Sequence, residues 1–78
     1  MEPCIGEIGT FAFNWAPQGW MPCNGHVLQI GEHTALFSLI GTTYGGDGQS
    51  TFALPNIALP AGQGWVCIAH EGVYPPRE

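Results

Sequence analysis

The chain has 78 residues and a mass of 8.3 kDa, which limits it to one domain spanning residues 1–78. Only 9% of its residues are charged, and its net charge is −5 with a single Lys or Arg. Because phosphate backbones and anionic membrane surfaces are bound by clusters of basic side chains, this composition argues against nucleic acid and anionic lipid as partners.

The composition also indicates an ordered chain that covers part of its surface with other protein. Gly and Pro account for 12 and 7 residues, yet 45% of the chain is apolar and 12% is aromatic. Disordered chains are poor in such residues. A chain of this size buries only about 60% of its unfolded surface, so its own core is thin. We therefore expect apolar faces to be buried against further copies or a partner.

Neither a membrane span nor a signal peptide is predicted. The stretches 8–31 and 48–70 carry no formal charge, but Pro, Gly, Asn and Gln interrupt both of them. The first ten residues, MEPCIGEIGT, have neither a basic start nor an apolar run. We therefore expect synthesis in the cytoplasm without membrane insertion.

The first predicted elements are β-strands. Residues 5–13 are rich in Ile and Phe and predict a strand. Asn24-Gly25 lies between two apolar runs, which is the sequence signature of a β-hairpin with a type I′ turn. Pro22 has no backbone N–H to donate, so its strand is predicted either to lie at the edge of a sheet or to be interrupted at this residue.

One helix is predicted, over residues 32–40. Leu36, Leu39 and Ile40 have the spacing of one helix face, and Gly41 suits a left-handed C-terminal cap. Two to three turns are too few to be stable alone, so packing must hold this helix.

The remaining elements complete an α+β class. A glycine-rich loop (42–51), a short extended segment (52–55) and a terminal strand (65–70) follow the helix. We expect a small, mainly antiparallel sheet with one short helix and Gly/Pro-rich loops. The expected core residues are Trp20, Leu36, Phe37, Ile40 and Phe52.

The sequence gives little support for catalysis or for a bound metal or cofactor. We therefore predict a non-enzymatic protein with neither a metal nor a cofactor. The histidines lack the spacing that would put two on one face, and no serine lies in a G-x-S-x-G motif. The cysteines form no C-x-x-C motif and are three in number, so they cannot all pair within the chain. The favoured interpretation is that the cysteines are small buried hydrophobic residues, and one disulfide remains an alternative. The residues concerned are His26, His33, His70, Cys4, Cys23, Cys67, Ser38 and Ser50.

Binding candidates come from the aromatic residues and the glycine-rich loop. Trp15 and Tyr44 adjoin turns, where exposed rings could stack on sugars; the alternative is that most aromatics lie in the core or a subunit interface. The loop segment GGDG lacks the Lys-Ser/Thr ending of a phosphate-binding loop, and its Asp47 supplies only one carboxylate for calcium. Asp47 is the third candidate binding residue, and its loop is expected to form an exposed tip.

Several strings resemble the phage tail collar domain family, which includes the microcystin-dependent proteins. They are IGEI (5–8), NWAPQGW (14–20), CNG (23–25), TALFSLIGTTYGGDG (34–48) and TFALPN (51–56). The resemblance covers about residues 5–57, and the last residues resemble the closing strand of short single-domain members, which implies a complete chain. Two departures stand out. Residues 57–60 read IALP where relatives often carry Arg-Gly-Arg, and Cys4 stands where they often have an aromatic.

The resemblance implies a structural component of a tail fibre, baseplate or tail tip in a phage or phage-derived particle. It implies self-assembly as a homotrimer, contact with other tail proteins, and a contribution to attachment at the host surface. The exposed aromatics, and not the resemblance, add a host-surface glycan as a candidate partner. Two alternatives remain open. One is a stand-alone carbohydrate-binding module, and the other is a subunit of a bacterial extracellular filament or contractile injection particle.

Overall fold

The computed structural model describes residues 3–60 and 62–76, which form five short strands, one 3₁₀ turn and one α-helix. In chain order these are β1 (Ile8–Phe11), β2 (Trp20–Pro22), β3 (Val27–Gln29), the 3₁₀ turn (Ile30–Glu32), α1 (Thr34–Ile40), β4 (Thr51–Ala53) and β5 (Trp65–Ala69). Within those residues, none of the helical segments has the length and hydropathy to cross a bilayer.

The strands form two antiparallel sheets. The larger sheet has the order β1-β5-β2, so the last strand of the chain lies in its centre. Its register places Ile68 opposite both Ile8 and Met21. The smaller sheet pairs β3 with β4, with Leu28 opposite Phe52. The predicted α+β class with mainly antiparallel sheets is therefore confirmed.

The predicted hairpin at Asn24-Gly25 is wrong. The strand before it, β2, pairs with β5, and the strand after it, β3, pairs with β4, so this turn connects the two sheets. A type I′ turn needs positive φ at both central residues, yet in the described ranges only glycines have positive φ. Asn24 Oδ1 instead accepts the His26 N–H at 3.1 Å, and the Gly25 N–H donates to the Pro55 carbonyl. The edge position predicted for Pro22 is confirmed, since β2 lies at one edge.

The helical region is divided where the sequence predicted one segment. His33, with φ −140° and ψ 49°, separates the 3₁₀ turn from α1 because this backbone conformation cannot continue a helix. At the other end, Gly41 has φ 56° but ψ −143°, outside the left-handed helical region predicted for it. Its N–H still closes the last turn by donating to the Phe37 carbonyl at 2.8 Å.

The core joins the helix to both sheets. Leu36 and Phe52 are fully buried, while Phe37 and Ile40 are half-buried and pack against the same cluster. The Phe37 and Phe52 rings meet at 5.4 Å between centroids. The other buried members of the cluster are Cys23, Leu28, Leu54, Val66 and Ile68.

The expectation that Trp20 belongs to this core is wrong. Neighbouring residues of a strand point to opposite faces of a sheet, and it is Met21, opposite Ile68, that packs against the core. Trp20 is therefore half-buried on the outer face, where its ring lies against Gly9 and meets Phe11 edge-on, with 5.1 Å between centroids.

The glycine-rich loop folds back tightly onto β4. The backbone of Gly46 lies against Phe52, and a Cβ at this position would stand 2.7 Å from the Thr51 carbonyl oxygen, with φ at +94°. Gly62 also has positive φ, at +85°, but nothing lies within 4 Å of the place a Cβ would take. A side chain at either position would be strained by positive φ, but only at Gly46 would it also collide with neighbouring atoms.

We predict that Gly46→Ala destabilises the protein more than Gly62→Ala does. Both substitutions force an L-residue into positive φ, at about 1–2 kcal/mol, and only Gly46→Ala adds overpacking of a further 1–3 kcal/mol or so. Urea unfolding of the two variants measures the difference. Equal losses would mean that the loop does not pack against β4.

The three cysteines are all free thiols. Cys4 is exposed, whereas Cys23 and Cys67 are buried. Burial raises the pKa of Cys23 to about 11, with a smaller contribution from Cys67, and burial also raises the pKa of Cys67. Since the thiolate is the reactive form, both buried thiols are protected by burial and by protonation.

We predict that an aromatic disulfide reagent labels one thiol per native chain, at Cys4, and all three after denaturation. Counting the released chromophore measures this. The variant Cys4→Ser is the control and should give almost no native labelling. Rapid labelling of that variant while it remains folded would contradict the burial of Cys23 and Cys67.

Candidate functional site

Trp15 is the most exposed large apolar side chain among the described residues, at 64%. Its ring stacks on Phe13 with 4.5 Å between centroids, and Phe13 stacks on Phe11 at 5.1 Å. Trp20 also meets Phe11, edge-on, with 5.1 Å between centroids. We call these four residues the aromatic row. Such ring pairs contribute about 0.5–1.5 kcal/mol each beyond area burial, so Trp15 is held in place at the exposed end of the row.

Tyr44 is not part of the aromatic row: among the described residues its ring pairs with none of the four. It is 52% exposed and follows α1, in the turn that the Gly45 N–H closes by donating to Thr42. The Gly45 carbonyl accepts the Ala53 N–H at 3.1 Å and fixes this turn to β4. In the part of the chain that the structure describes, Tyr44 makes no ring pair with Trp15. The two predicted sugar-stacking residues are therefore not assembled into one stacked platform.

Asp47 organises its own loop. Its Oδ1 accepts the backbone N–H groups of Gln49, Ser50 and Thr51 at 2.8, 2.9 and 3.0 Å. These hydrogen bonds, with that of Ser50 the strongest contributor, hold the pKa of Asp47 well below its usual range. The Asp47 N–H donates in turn to Thr51 Oγ1 at 3.2 Å. The carboxylate thus closes the turn from which β4 begins, and Oδ1 is engaged within the loop.

His33 and His70 come together although their sequence separation gave no sign of it. Their ring centroids are 5.5 Å apart and the rings are nearly perpendicular. Partial burial lowers the pKa of His70, with an opposing effect from Glu71 and a small further lowering from His33. Residues 3–60 and 62–76 contain no group of three or more His, Cys, Asp or Glu side chains arranged to hold a metal ion.

A groove of about 700 Å³ lies beside the larger sheet and was not predicted from the sequence. One wall comes from the ends of β1 and β5, including the 54% exposed Trp65. The lining also includes residues 56–60 and 62–64, together with Asn24 from the β2–β3 connection. The sequence analysis gave no signal for it; residues 57–60, which contribute to its lining, read IALP and carry no charge.

We predict that Asp47→Ala lowers the unfolding midpoint at neutral pH because three backbone N–H groups lose their acceptor. Asp47→Asn should lose less, since it retains an oxygen acceptor. As the native pKa is depressed, the ionised carboxylate stabilises the fold above the ordinary Asp value of about 4. That contribution disappears as the pH falls through the native pKa.

The difference in stability between the parent chain and Asp47→Ala should therefore shrink on acidification, as measured by urea unfolding at a series of pH values. A difference that stays constant below about pH 4 would contradict this assignment of the carboxylate.

Comparison with known proteins identifies one family. The family model of the phage tail collar domain matches residues 6–59, which is more than half of the chain. No curated protein and no solved structure gave a significant match. The matched range includes β1 to β4, α1, the Asp47 loop and ten of the described residues that line the groove, among them Asn24, Asn56 and Ile57. The chain therefore belongs to the phage tail collar domain family, a structural family whose role is of the tail-fibre type in the virion tail.

Proposed function

We propose that the chain is a self-assembling component of a tail fibre, baseplate or tail tip, that it forms a homotrimer, and that it contributes to attachment at the host surface. Family membership supports a structural role, and the physical properties of the surface support assembly. Relatives on short tail fibres are trimeric and lie close to the receptor-binding tip, which favours three copies and contact with other tail proteins.

The observation that carries this proposal is the surplus of exposed surface. The chain exposes 5160 Å², about a tenth more than the roughly 4,600 Å² expected for a free monomer of its mass. Its radius of gyration is 12.4 Å, against about 11.5 Å for a compact domain of this length. An isolated chain therefore leaves surface uncovered that association could bury.

Much of the exposed surface is apolar. Nine large apolar side chains of the described residues are exposed: Ile8, Trp15, Val27, Tyr44, Ile57, Leu59, Trp65, Val73 and Tyr74. With only 9% charged residues, the chain has few ionic groups to keep such side chains apart from other copies. Interface cores are depleted in charge and enriched in aromatic residues.

The aromatic row is the surface we assign to self-association. Trp15 is exposed yet fixed by Phe13, so docking it costs little conformational entropy. Tryptophan is also among the residues most often found as energetic anchors of interfaces.

We predict that the purified chain has three times its 8.3-kDa mass in light scattering at micromolar concentration. Trp15→Ser should weaken the trimer by at least about tenfold in dissociation constant. The matched control is Val27→Thr, which changes an exposed apolar residue of the smaller sheet while keeping its β-branched shape. That variant should assemble as the parent does.

A folded monomer at these concentrations would contradict self-assembly and would favour the stand-alone binding module. Open fibres in negative-stain images would instead favour the filament or injection-particle alternative, because head-to-tail contacts that do not close generate filaments. Immunogold labelling of purified particles tests the location in the virion. Gold at the tail supports the proposal, and particles that lack the chain overturn it.

A further inference from the structure

We propose that the groove lined by Trp65 and by residues 56–60 and 62–64 binds a neutral oligosaccharide. This inference rests on the proposed role in host attachment and gives that role a site and a ligand class. It differs from the sequence-based candidates, because Trp15 belongs to the aromatic row and the Asp47 carboxylate is engaged in its own loop.

The groove is fixed by the backbone on both of its sides. Gly64, with φ at +107°, passes so close to β1 that a Cβ there would stand 2.8 Å from the Phe11 carbonyl oxygen. On the other side the Ile57 N–H donates to the Cys23 carbonyl at 2.9 Å. The lining is thus attached to the β2–β3 connection at Ile57 and packed against β1 at Gly64.

Trp65 supplies an accessible ring at the wall of the groove. It is the first residue of β5, lies opposite Phe11 in the sheet register, and remains 54% exposed. The flat, electron-rich indole face packs well against the C–H face of a pyranose ring and loses little entropy on doing so.

Three primary amides line the same groove, from Asn24, Asn56 and Gln63. An amide side chain carries both donors and an acceptor, which suits sugar hydroxyl groups because these also donate and accept. Asn24 Oδ1 already accepts the His26 N–H, so Asn24 offers its NH₂ group. An aromatic ring flanked by neutral hydrogen-bonding groups is a site for a polar, uncharged ligand with apolar faces.

The charge of the groove selects against acidic sugars. Among the described residues that line it there is no Asp, Glu, Lys or Arg, and the chain as a whole carries −5. A sialylated or phosphorylated glycan would meet an unfavourable field without a cation to pair with. The volume of about 700 Å³ lies within the range of about 300–1,000 Å³ for small-ligand sites and leaves room for a short oligosaccharide.

The test is an NMR titration of the full ¹⁵N-labelled chain with maltotriose, mannotriose and chitotriose, and with 3′-sialyllactose as the charged probe. We expect at least one neutral trisaccharide to shift the Trp65 indole N–H and the side-chain amides of Asn56 and Gln63. Trp65→Ala should weaken that binding at least about tenfold. Tyr44→Ala, which removes an exposed aromatic outside the groove, is the matched control and should bind as the parent does.

Gln63→Ala keeps the test valid if Trp65→Ala fails to fold, because Gln63 is exposed and its backbone N–H, which the substitution keeps, donates to the Pro60 carbonyl. This variant should weaken binding severalfold. The proposal is overturned if no neutral trisaccharide shifts these signals, if 3′-sialyllactose binds more tightly than they do, or if Tyr44→Ala rather than Trp65→Ala abolishes binding. If the chain binds no sugar but still forms trimers and is located at the tail by immunogold labelling, only the groove assignment is refuted.

Discussion

The pairing of β5 with both β1 and β2 is the interaction on which the rest of this structure depends. Residues 65–69 come from the end of the chain and lie between strands formed by residues 8–11 and 20–22. Closing such long loops costs entropy that only the completed sheet and its core can offset. The inward side chains of β5, Val66 and Ile68, contribute to the core that also holds Leu36 and Phe52.

Two other features follow from this central strand. With β2 paired to β5, the Asn24-Gly25 turn must cross to the smaller sheet, where Asn24 bridges to Asn56. With Trp65 at the start of β5, the segment before it has to run from that bridge back to the end of β1. The groove is the space left between this returning segment and the sheet.

The chain organises its loops with few charges. The Asp47 carboxylate accepts hydrogen bonds from three backbone N–H groups, and uncharged aromatic rings contact one another in the row from Trp20 to Trp15. With so few charged residues, the chain leaves apolar surface exposed around a thin core. Such a surface suits a protein that functions as one part of a larger particle. The uncharged groove is consistent with the same composition, since residues 57–60 carry no arginine.

The sequence by itself determined the family, the α+β class, the helix face built on Leu36, and the edge position of Pro22. Each of these depends on local properties: the order of a motif, the spacing of apolar residues, or a missing N–H group. Only the tertiary structure decided that Asn24-Gly25 joins two sheets, that Trp20 faces outward, that Asp47 caps its own loop, and that Trp65 and three amides share a groove. Those outcomes depend on which distant strand each segment meets, and strand pairing is set by the packing of the whole core rather than by neighbouring residues.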